Sequence, residues 1–232
     1  MFEIIEKIQN CIGKDILDNE IEHLYWLGRF LQENFKEFNK EINDIKTIYS
    51  ISLKPTKSIK NRCHYGYIRR LYNVIEAFYI LKQHTEDIIK KYQSDKLFND
   101  ECSCKKTEFN IKNLQAVFLR RLRACIVHYK IPKTIIRLKL LQGQAPEVRI
   151  YLSKKSLLKW DKWDENILAY VNKFSENIDI DSIIVCCIND LIHFVNWLIN
   201  KIVEMNRLEL EEYNKLIKQW NNFDIVKESA NV

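Results

Sequence analysis

Apolar residues recur every three or four positions along most of this chain, which is the spacing of one face of an α-helix. This periodicity predicts helices over residues 2–11, 18–39, 61–91 and 110–129. Asp18 is placed to cap the second helix, and Pro132 follows the end of the fourth. The polar stretch from Ser94 to Lys105 has no period and is predicted to be a loop. The first part of the chain is therefore expected to be helical.

A change of period after the fourth helix predicts a short β-hairpin. Residues 134–141 and 148–153 alternate apolar and polar positions and are rich in β-branched side chains. A segment with Gly143 and Pro146 separates the two runs, as a turn would. The sequence therefore predicts two antiparallel strands, inserted over residues 134–153 between helices.

Helical spacing returns in the last third of the chain. A helix opened by two tryptophans is predicted over residues 160–174. Asp179 or Asp181 is placed to cap a long final helix that extends to about residue 223. The sequence leaves open whether a break interrupts this helix. The predicted fold class is all-α: one helical domain over residues 1–232 that carries the small hairpin.

The composition is that of an ordinary globular protein. Apolar residues make up 47% and charged residues 29% of the 232 positions, with only four Gly and three Pro, which excludes disordered, collagen-like and turn-rich all-β classes. The longest uncharged apolar stretch, residues 183–188, is far shorter than the ~20 residues that span a bilayer. The N-terminal residues are unlike a signal peptide, and seven scattered cysteines favour reduced thiols. A soluble, cytoplasmic protein without a membrane partner is expected.

Basic residues are segregated along the chain. There are 37 Lys and Arg against 31 Asp and Glu, a formal net charge of +6. Residues 45–75 hold seven basic residues and no acidic one, and residues 109–146 hold eight and none. The rest of the chain has a formal charge of −9. Blocks of one sign indicate a partner of the opposite sign, and nucleic acid is the commonest such partner.

The first acid-free window mixes its cations, among them Arg69 and Arg70, with tyrosines. Such a mixture suits single-stranded RNA, because phosphates meet the cations while bases stack on the rings. Alternatively, the tyrosines are core positions of a helix and the cations form its solvated face. The excess of positive charge remains under either interpretation.

The second window contains a catalytic-looking pair, Arg123 and His128, near the end of a predicted helix. A histidine can give or take a proton near neutral pH, and the fixed charge of an arginine suits a phosphate that gains charge in a transition state. Arg120 and Arg121 extend the same positive edge. Alternatively, Arg123 contacts helix carbonyls and His128 bonds a backbone group.

The motif RACIVH, an Arg and a His separated by four residues late in a helix, resembles the HEPN superfamily. The preceding RRLR, the strands that follow and the WDKW segment are also similar to HEPN proteins of defence and toxin systems, and the resemblance covers residues 60–223. It implies a helical bundle, RNA as the substrate, a homodimer, an antitoxin or other operon partner protein, and no metal or other cofactor.

The resemblance also implies a reaction, metal-independent endoribonuclease cleavage by attack of a 2′-hydroxyl on the adjacent phosphate. His128 would be the acid or base, Arg123 would stabilise the phosphate, and a two-fold dimer would supply the second histidine. The implied substrate-binding residues are Arg120, Arg121, Tyr129, Lys130, Arg69 and Arg70. Ala124 stands where active members commonly have a polar residue, so a catalytically inactive module that binds RNA or protein is the alternative.

Other kinds of site find little support in the sequence. Cys102 with Cys104, and Cys63 with His64, are the nearest to metal ligands, but neither pair has the spacing that structural zinc typically takes. Nucleotide-cradle, zincin and hydrolase-elbow motifs are absent from the sequence. A DNA-associated regulator stays open as a weaker option, because the basic windows do not distinguish RNA from DNA.

Overall fold

The computed structural model of the chain describes residues 2–52, 54–111, 113–139 and 147–230. The helices are α1 (Phe2–Gln9), α2 (Ile12–Ile16), α3 (His23–Ile51), α4 (Lys57–Lys91), α5 (Lys96–Glu108), α6 (Leu114–His128), α7 (Lys154–Leu157), α8 (Glu165–Asn172), α9 (Ile180–Met205) and α10 (Arg207–Ala230). The strands are β1 (Thr134–Lys139), β2 (Glu147–Ser153) and β3 (Asn177–Ile178). The protein is predominantly helical with one small sheet, which confirms the predicted fold class.

The longest two helices, α3 and α4, run antiparallel and pack along their length. The rings of Phe38 and Tyr67 are 5.3 Å apart along this interface. The rings of His23, at the start of α3, and His84, late in α4, are 4.6 Å apart. The Thr56 hydroxyl caps α4 by accepting from the Ile59 amide. This pair is the frame on which the remaining elements are placed.

The most apolar helix, α9, lies in the core. Among the described residues it is the one helix long and apolar enough to span a membrane, yet 44% of its most apolar window is buried inside the protein. Ile184, Phe194 and Leu198 are fully buried. Its apolar character extends beyond residues 183–188, because the isolated Asp190 does not interrupt its core-facing side. The buried side of α9 therefore packs in the core of the helical bundle.

The polar stretch that the sequence predicts to be a loop is helical, so that prediction was wrong. Residues 96–108 form α5, and the Asp95 carboxylate caps it by accepting from the Phe98 amide at 2.9 Å. Phe98 and Cys102, one turn apart, are 1% and 2% exposed. One narrow buried stripe is enough to hold a helix against a core, and it leaves little apolar period in the sequence.

The start and end of the second predicted helix also differ from expectation. Asp18 caps nothing, because it lies within a π-helical segment, Leu17–Glu22, that joins α2 to α3 without a break. An N-cap needs a non-helical backbone, which this continuous segment does not provide. The helix then continues to Ile51, well beyond the predicted end at residue 39.

The predicted hairpin is present and gains a third strand. β1 pairs antiparallel with β2, from Thr134 opposite Leu152 to Lys139 opposite Glu147, and β3 pairs antiparallel with the other side of β2. β1 is therefore an edge strand. The turn predicted at Gly143 and Pro146 lies outside the described residues.

The two tryptophans do not open a helix as predicted. Trp160 and Trp163 precede α8, whose cap is Asp164, and α8 ends at Asn172 rather than near residue 174. Trp163 is buried and donates from its indole nitrogen to the Leu157 carbonyl at 2.9 Å. An amphipathic aromatic side chain can therefore bridge a short connection as readily as begin a helix.

The cap of the last predicted helix is confirmed at Asp179, whose side chain accepts from the Ser182 amide. The helix breaks at Asn206, which separates α9 from α10. The sequence left a break in this helix open, and the structure places the break at Asn206.

Candidate functional site

The two acid-free windows of the sequence meet at one end of the α4–α6 pair. These helices are antiparallel: Glu76 in the middle of α4 contacts Arg123 in α6, while His64 near the start of α4 contacts Thr134, just beyond the end of α6. The start of α4 and the chain after α6 are therefore neighbours. At this end of the pair, basic residues from both windows come close together in space.

An open groove with a volume of about 950 Å³ lies at this end of the helix pair. Its walls come from the α3–α4 connection, the start of α4, the segment between α6 and β1, and α7. Six lysines line it: Lys54, Lys60, Lys130, Lys133, Lys155 and Lys159. All six are exposed, and among the described residues no carboxylate lines the groove and none of the six lysines forms an ion pair. We call this surface the lysine groove.

The floor of the lysine groove is apolar. Ile136 and Leu138 of β1 are half-buried there, on the sheet face that continues toward the core as Ile150 and Val148 of β2. Apolar side chains beside the lysines displace part of the surrounding water and lower the local dielectric constant. Each contact between a lysine and an anion is then stronger than it would be on a flat surface.

One wall of the groove is held by backbone hydrogen bonds. The Lys133 amide donates to the Ser156 hydroxyl at 3.0 Å, and the Lys133 carbonyl accepts from the Ser153 amide at 2.9 Å. Ser153 also caps α7 by accepting from the Ser156 amide. The Lys133 backbone is therefore fixed from both sides, so the lysine starts from a defined point on the wall.

His64 is the one histidine that lines the lysine groove. Its Nδ1 atom is 2.9 Å from the Thr134 hydroxyl, and its ring lies 5.3 Å from that of Tyr65, which is 60% exposed. Burial lowers the pKa of His64 below its usual value, so the imidazole is neutral at pH 7. The groove thus contains a neutral base among fixed positive charges.

The structure does not bring Arg123 and His128 together. Arg123 forms a two-pronged ion pair with Glu76, with Nη2 donating to Oε1 at 2.9 Å, and its guanidinium lies 5.2 Å from the centre of the Tyr79 ring. The hydrogen bond with Glu76 raises the pKa of Arg123. His128 is exposed in the last turn of α6 and has no hydrogen bond or ion pair among the described residues. Residues five positions apart on a helix differ by about 140° in direction, which agrees with this separation.

Two of the other predicted arginines are engaged with carboxylates. Arg121 donates from Nε to Asp164, the cap of α8, at 2.9 Å, and Arg70 of α4 pairs with Glu37 of α3. Both ion pairs join helices that pack together. Their first role is therefore in the fold, and each has less charge to offer a ligand.

The remaining predicted residues are spread over the surface. Arg120 lines a smaller cleft between α4 and α6, with a volume of about 120 Å³. Arg69 and Tyr129 are exposed, and neither contacts the lysine groove. Lys130 alone among the predicted site residues lines that groove.

The comparisons with known proteins give no assignment. No family model, curated protein or solved structure matches the chain. The chemistry of the groove is therefore what indicates a ligand. Six lysines without a carboxylate select an anion, and their distribution over four segments of the chain suits an extended anion better than a single phosphate group.

Several groove residues were missed from the sequence. Lys54, Lys60 and Lys133 lie in the two acid-free windows but were not among the predicted binding residues. The signal for the wall at α7 is a local one: residues 154–162 contain four lysines and a single acidic residue. A metal centre finds no support, since no group of three or more potential metal ligands occurs among the described residues.

Proposed function

We propose that the protein binds RNA in the cytoplasm through the lysine groove. The observation that carries the proposal is the convergence of six exposed lysines around one groove, where the described residues include no carboxylate and no ion pair to any of the six. Each lysine that meets a phosphate releases condensed counterions, which is the main source of affinity for nucleic acid. The groove supplies this charge in one place.

Features beside the lysines favour a single strand. The exposed Tyr65 ring next to His64 and the apolar floor formed by Ile136 and Leu138 are surfaces on which unpaired bases can stack. The resemblance of RACIVH to the HEPN motif favours RNA over DNA. A second large cleft has the opposite charge, with Glu3, Glu6, Glu209 and Glu212 on its walls, and it would repel a phosphate backbone. This opposition favours one binding surface.

The test is the affinity of a labelled single-stranded RNA for the double variant Lys60→Glu/Lys133→Glu, measured by fluorescence anisotropy. We expect the affinity to fall at least about 30-fold, because two phosphate contacts become repulsive. The slope of log K against log salt should decrease by about two. The matched control is Lys40→Glu/Lys96→Glu, which changes the net charge equally at two exposed lysines outside the groove.

Two results would contradict the proposal. Equal losses in both double variants would mean that net charge alone drives binding, and no loss in the groove variant would remove the groove as the site. Single-stranded DNA and duplex RNA of the same length are measured in parallel. Binding of DNA as tight as that of RNA would overturn the choice of RNA.

The second candidate function is cleavage of the bound RNA by a HEPN-type endoribonuclease, as a homodimer in a defence or toxin system. The observation that favours it is His128, which is exposed, free of hydrogen bonds among the described residues, and two residues from Lys130 of the groove. Cleavage of labelled RNA in EDTA should then fall by about 100-fold or more in His128→Ala. Equal cleavage by both proteins would remove His128 from the reaction, and Arg123, already paired with Glu76, favours binding without cleavage at this motif.

A further inference from the structure

A histidine, a threonine and two lysines meet within the lysine groove, away from the Arg123–His128 motif. Lys60 and His64 are one turn apart on α4, so their side chains are neighbours on one helix face. Thr134, the first residue of β1, contacts His64, and Lys133 precedes it. Glu76, which holds Arg123, lies twelve residues farther along α4, or about 18 Å along the helix axis.

The hydrogen bond with Thr134 leaves one ring nitrogen of His64 available. In the tautomer whose Nδ1 donates to the Thr134 hydroxyl, the lone pair of Nε2 is free to accept a proton. The titratable groups that line the groove around this ring are Tyr49, Lys54, Lys60, Lys130, Lys133, Lys155 and Lys159. Burial opposes protonation of the ring and lowers the pKa of His64.

Resting on the proposed binding of RNA in this groove, we propose that Nε2 of His64 is the general base of an RNA-cleaving centre built from His64, Thr134, Lys60 and Lys133. Nothing in this centre requires the Arg123–His128 motif. The substrate class is single-stranded RNA, because the nucleophile must be a 2′-hydroxyl that DNA lacks.

The reaction balances without a metal ion or another reactant. Nε2 takes the proton of a 2′-hydroxyl, the 2′-oxygen forms a bond to the adjacent phosphorus, and the bond from phosphorus to the 5′-oxygen breaks. The departing 5′-oxygen takes a proton from a neighbouring lysine ammonium, and solvent then restores both groups. Lys60 and Lys133 stabilise the added negative charge of the phosphorane. The products are a 2′,3′-cyclic phosphate and a 5′-hydroxyl.

The test measures cleavage of an end-labelled single-stranded RNA in EDTA at saturating protein, with RNA affinity determined in parallel. In His64→Gln we expect the cleavage rate to fall at least about 100-fold, the usual contribution of a general base, with RNA affinity changed less than about two-fold. The rate of the wild type should rise with pH and level off after an inflection below about 6.5, because the neutral imidazole is the active form. A 2′-deoxy nucleotide at the cleavage position should stop the reaction.

The controls separate this centre from the motif and from folding. His84→Gln alters an exposed histidine on the same helix and should cleave as the wild type does. Thr134→Val keeps the shape of the side chain but removes the hydroxyl, so it should lower the rate about ten-fold and leave the RNA affinity unchanged if Thr134 orients the ring. Circular dichroism spectra identify any variant that fails to fold. If His64→Gln does not fold, the cleavage rate of Thr134→Val is the test of the proposal.

Each outcome decides between the alternatives. Binding of RNA without cleavage by the wild type overturns the centre and leaves the proposed function intact. Full cleavage by His64→Gln, or loss of cleavage in His128→Ala alone, assigns the chemistry elsewhere and overturns it too. Absence of RNA binding by the wild type removes the proposed function, and this centre with it.

Discussion

Replacement of Tyr92 by phenylalanine is expected to lower the free energy of unfolding by about 2–3 kcal/mol, the cost of leaving a buried charged group short of a hydrogen bond. The Tyr92 hydroxyl donates to Oε2 of Glu20 at 2.6 Å, and the Glu20 side chain is only 6% exposed. Burial and the contact with Glu20 raise the pKa of Tyr92. In the phenylalanine variant the carboxylate retains only Lys91, 3.2 Å away and half-exposed.

The same substitution affects a second group. Asn206, at the break between α9 and α10, donates to the Tyr92 hydroxyl at 3.1 Å and would lose that acceptor. Tyr92 thus links the π-helical segment, the end of α4 and the α9–α10 break. The measurement is urea unfolding followed by circular dichroism, with Tyr65→Phe in α4 as the control. Tyr65 is 60% exposed and its hydroxyl makes no hydrogen bond among the described residues, so equal losses in the two variants would contradict the role of Glu20.

Stability and ligand binding should be separable along α4. Tyr92 follows the last residue of this helix, and Lys60 is in its first turn, so the two lie roughly 48 Å apart along the axis. We therefore infer that the Tyr92→Phe protein, where folded, binds RNA with the wild-type affinity. One helix connects the two ends, but among the described residues their polar side chains share no hydrogen-bond partner.

The parts of the fold that could be predicted are those whose sequence pattern repeats over several turns. α4 and α6 carry long apolar stripes, and their cores lie where the period places them. α5 could not be predicted, because Phe98 and Cys102 are its only buried side chains among the described residues and thirteen residues with two apolar anchors show no period. A helical period is visible in the sequence only where the buried stripe is wide enough, so the absence of a period does not exclude a helix.

The sequence indicated the lysines of the groove but not how they come together. The acid-free windows contain Lys60 and Lys133, but the contact between the start of α4 and the segment after α6 depends on the antiparallel packing of the two helices. Spacing along one helix cannot report such a contact. The pairing of Arg123 with Glu76 has the same cause, because 47 residues separate the two in the chain. The sequence of α6 alone therefore does not show that Glu76 of α4 occupies the Arg123 side chain.

The second large effect concerns a half-buried carboxylate at the start of α9. Oδ1 of Asp181 accepts from the Tyr67 hydroxyl at 2.7 Å, and Tyr67 is fully buried between helices. Burial is the main reason that the pKa of Asp181 is raised to about 6, with Asp179 raising it further and Tyr67 and Lys46 opposing the rise. The folded protein therefore holds this proton more tightly than the unfolded chain does.

The sign of the pH dependence follows from that difference. A pKa raised on folding contributes stability below the unfolded value, near 4, and this contribution is lost as the pH rises through about 6. Two pKa units correspond to about 3 kcal/mol, so the wild type should lose up to that amount relative to Asp181→Asn between pH 4 and pH 7. The asparagine cannot ionise, yet its oxygen can still accept from Tyr67.

The measurement is the free energy of unfolding of the wild type and of Asp181→Asn at several pH values from 4 to 8. Asp87→Asn is the control, because a hydrogen bond from Lys90 lowers the pKa of Asp87 and its contribution has the opposite sign. Asp87 is fully exposed, so its effect should be small. A difference between wild type and Asp181→Asn that stays constant over this range would contradict a raised pKa for Asp181. A difference that grows as the pH rises identifies the Tyr67–Asp181 contact as the point where α4 and α9 lose stability on ionisation.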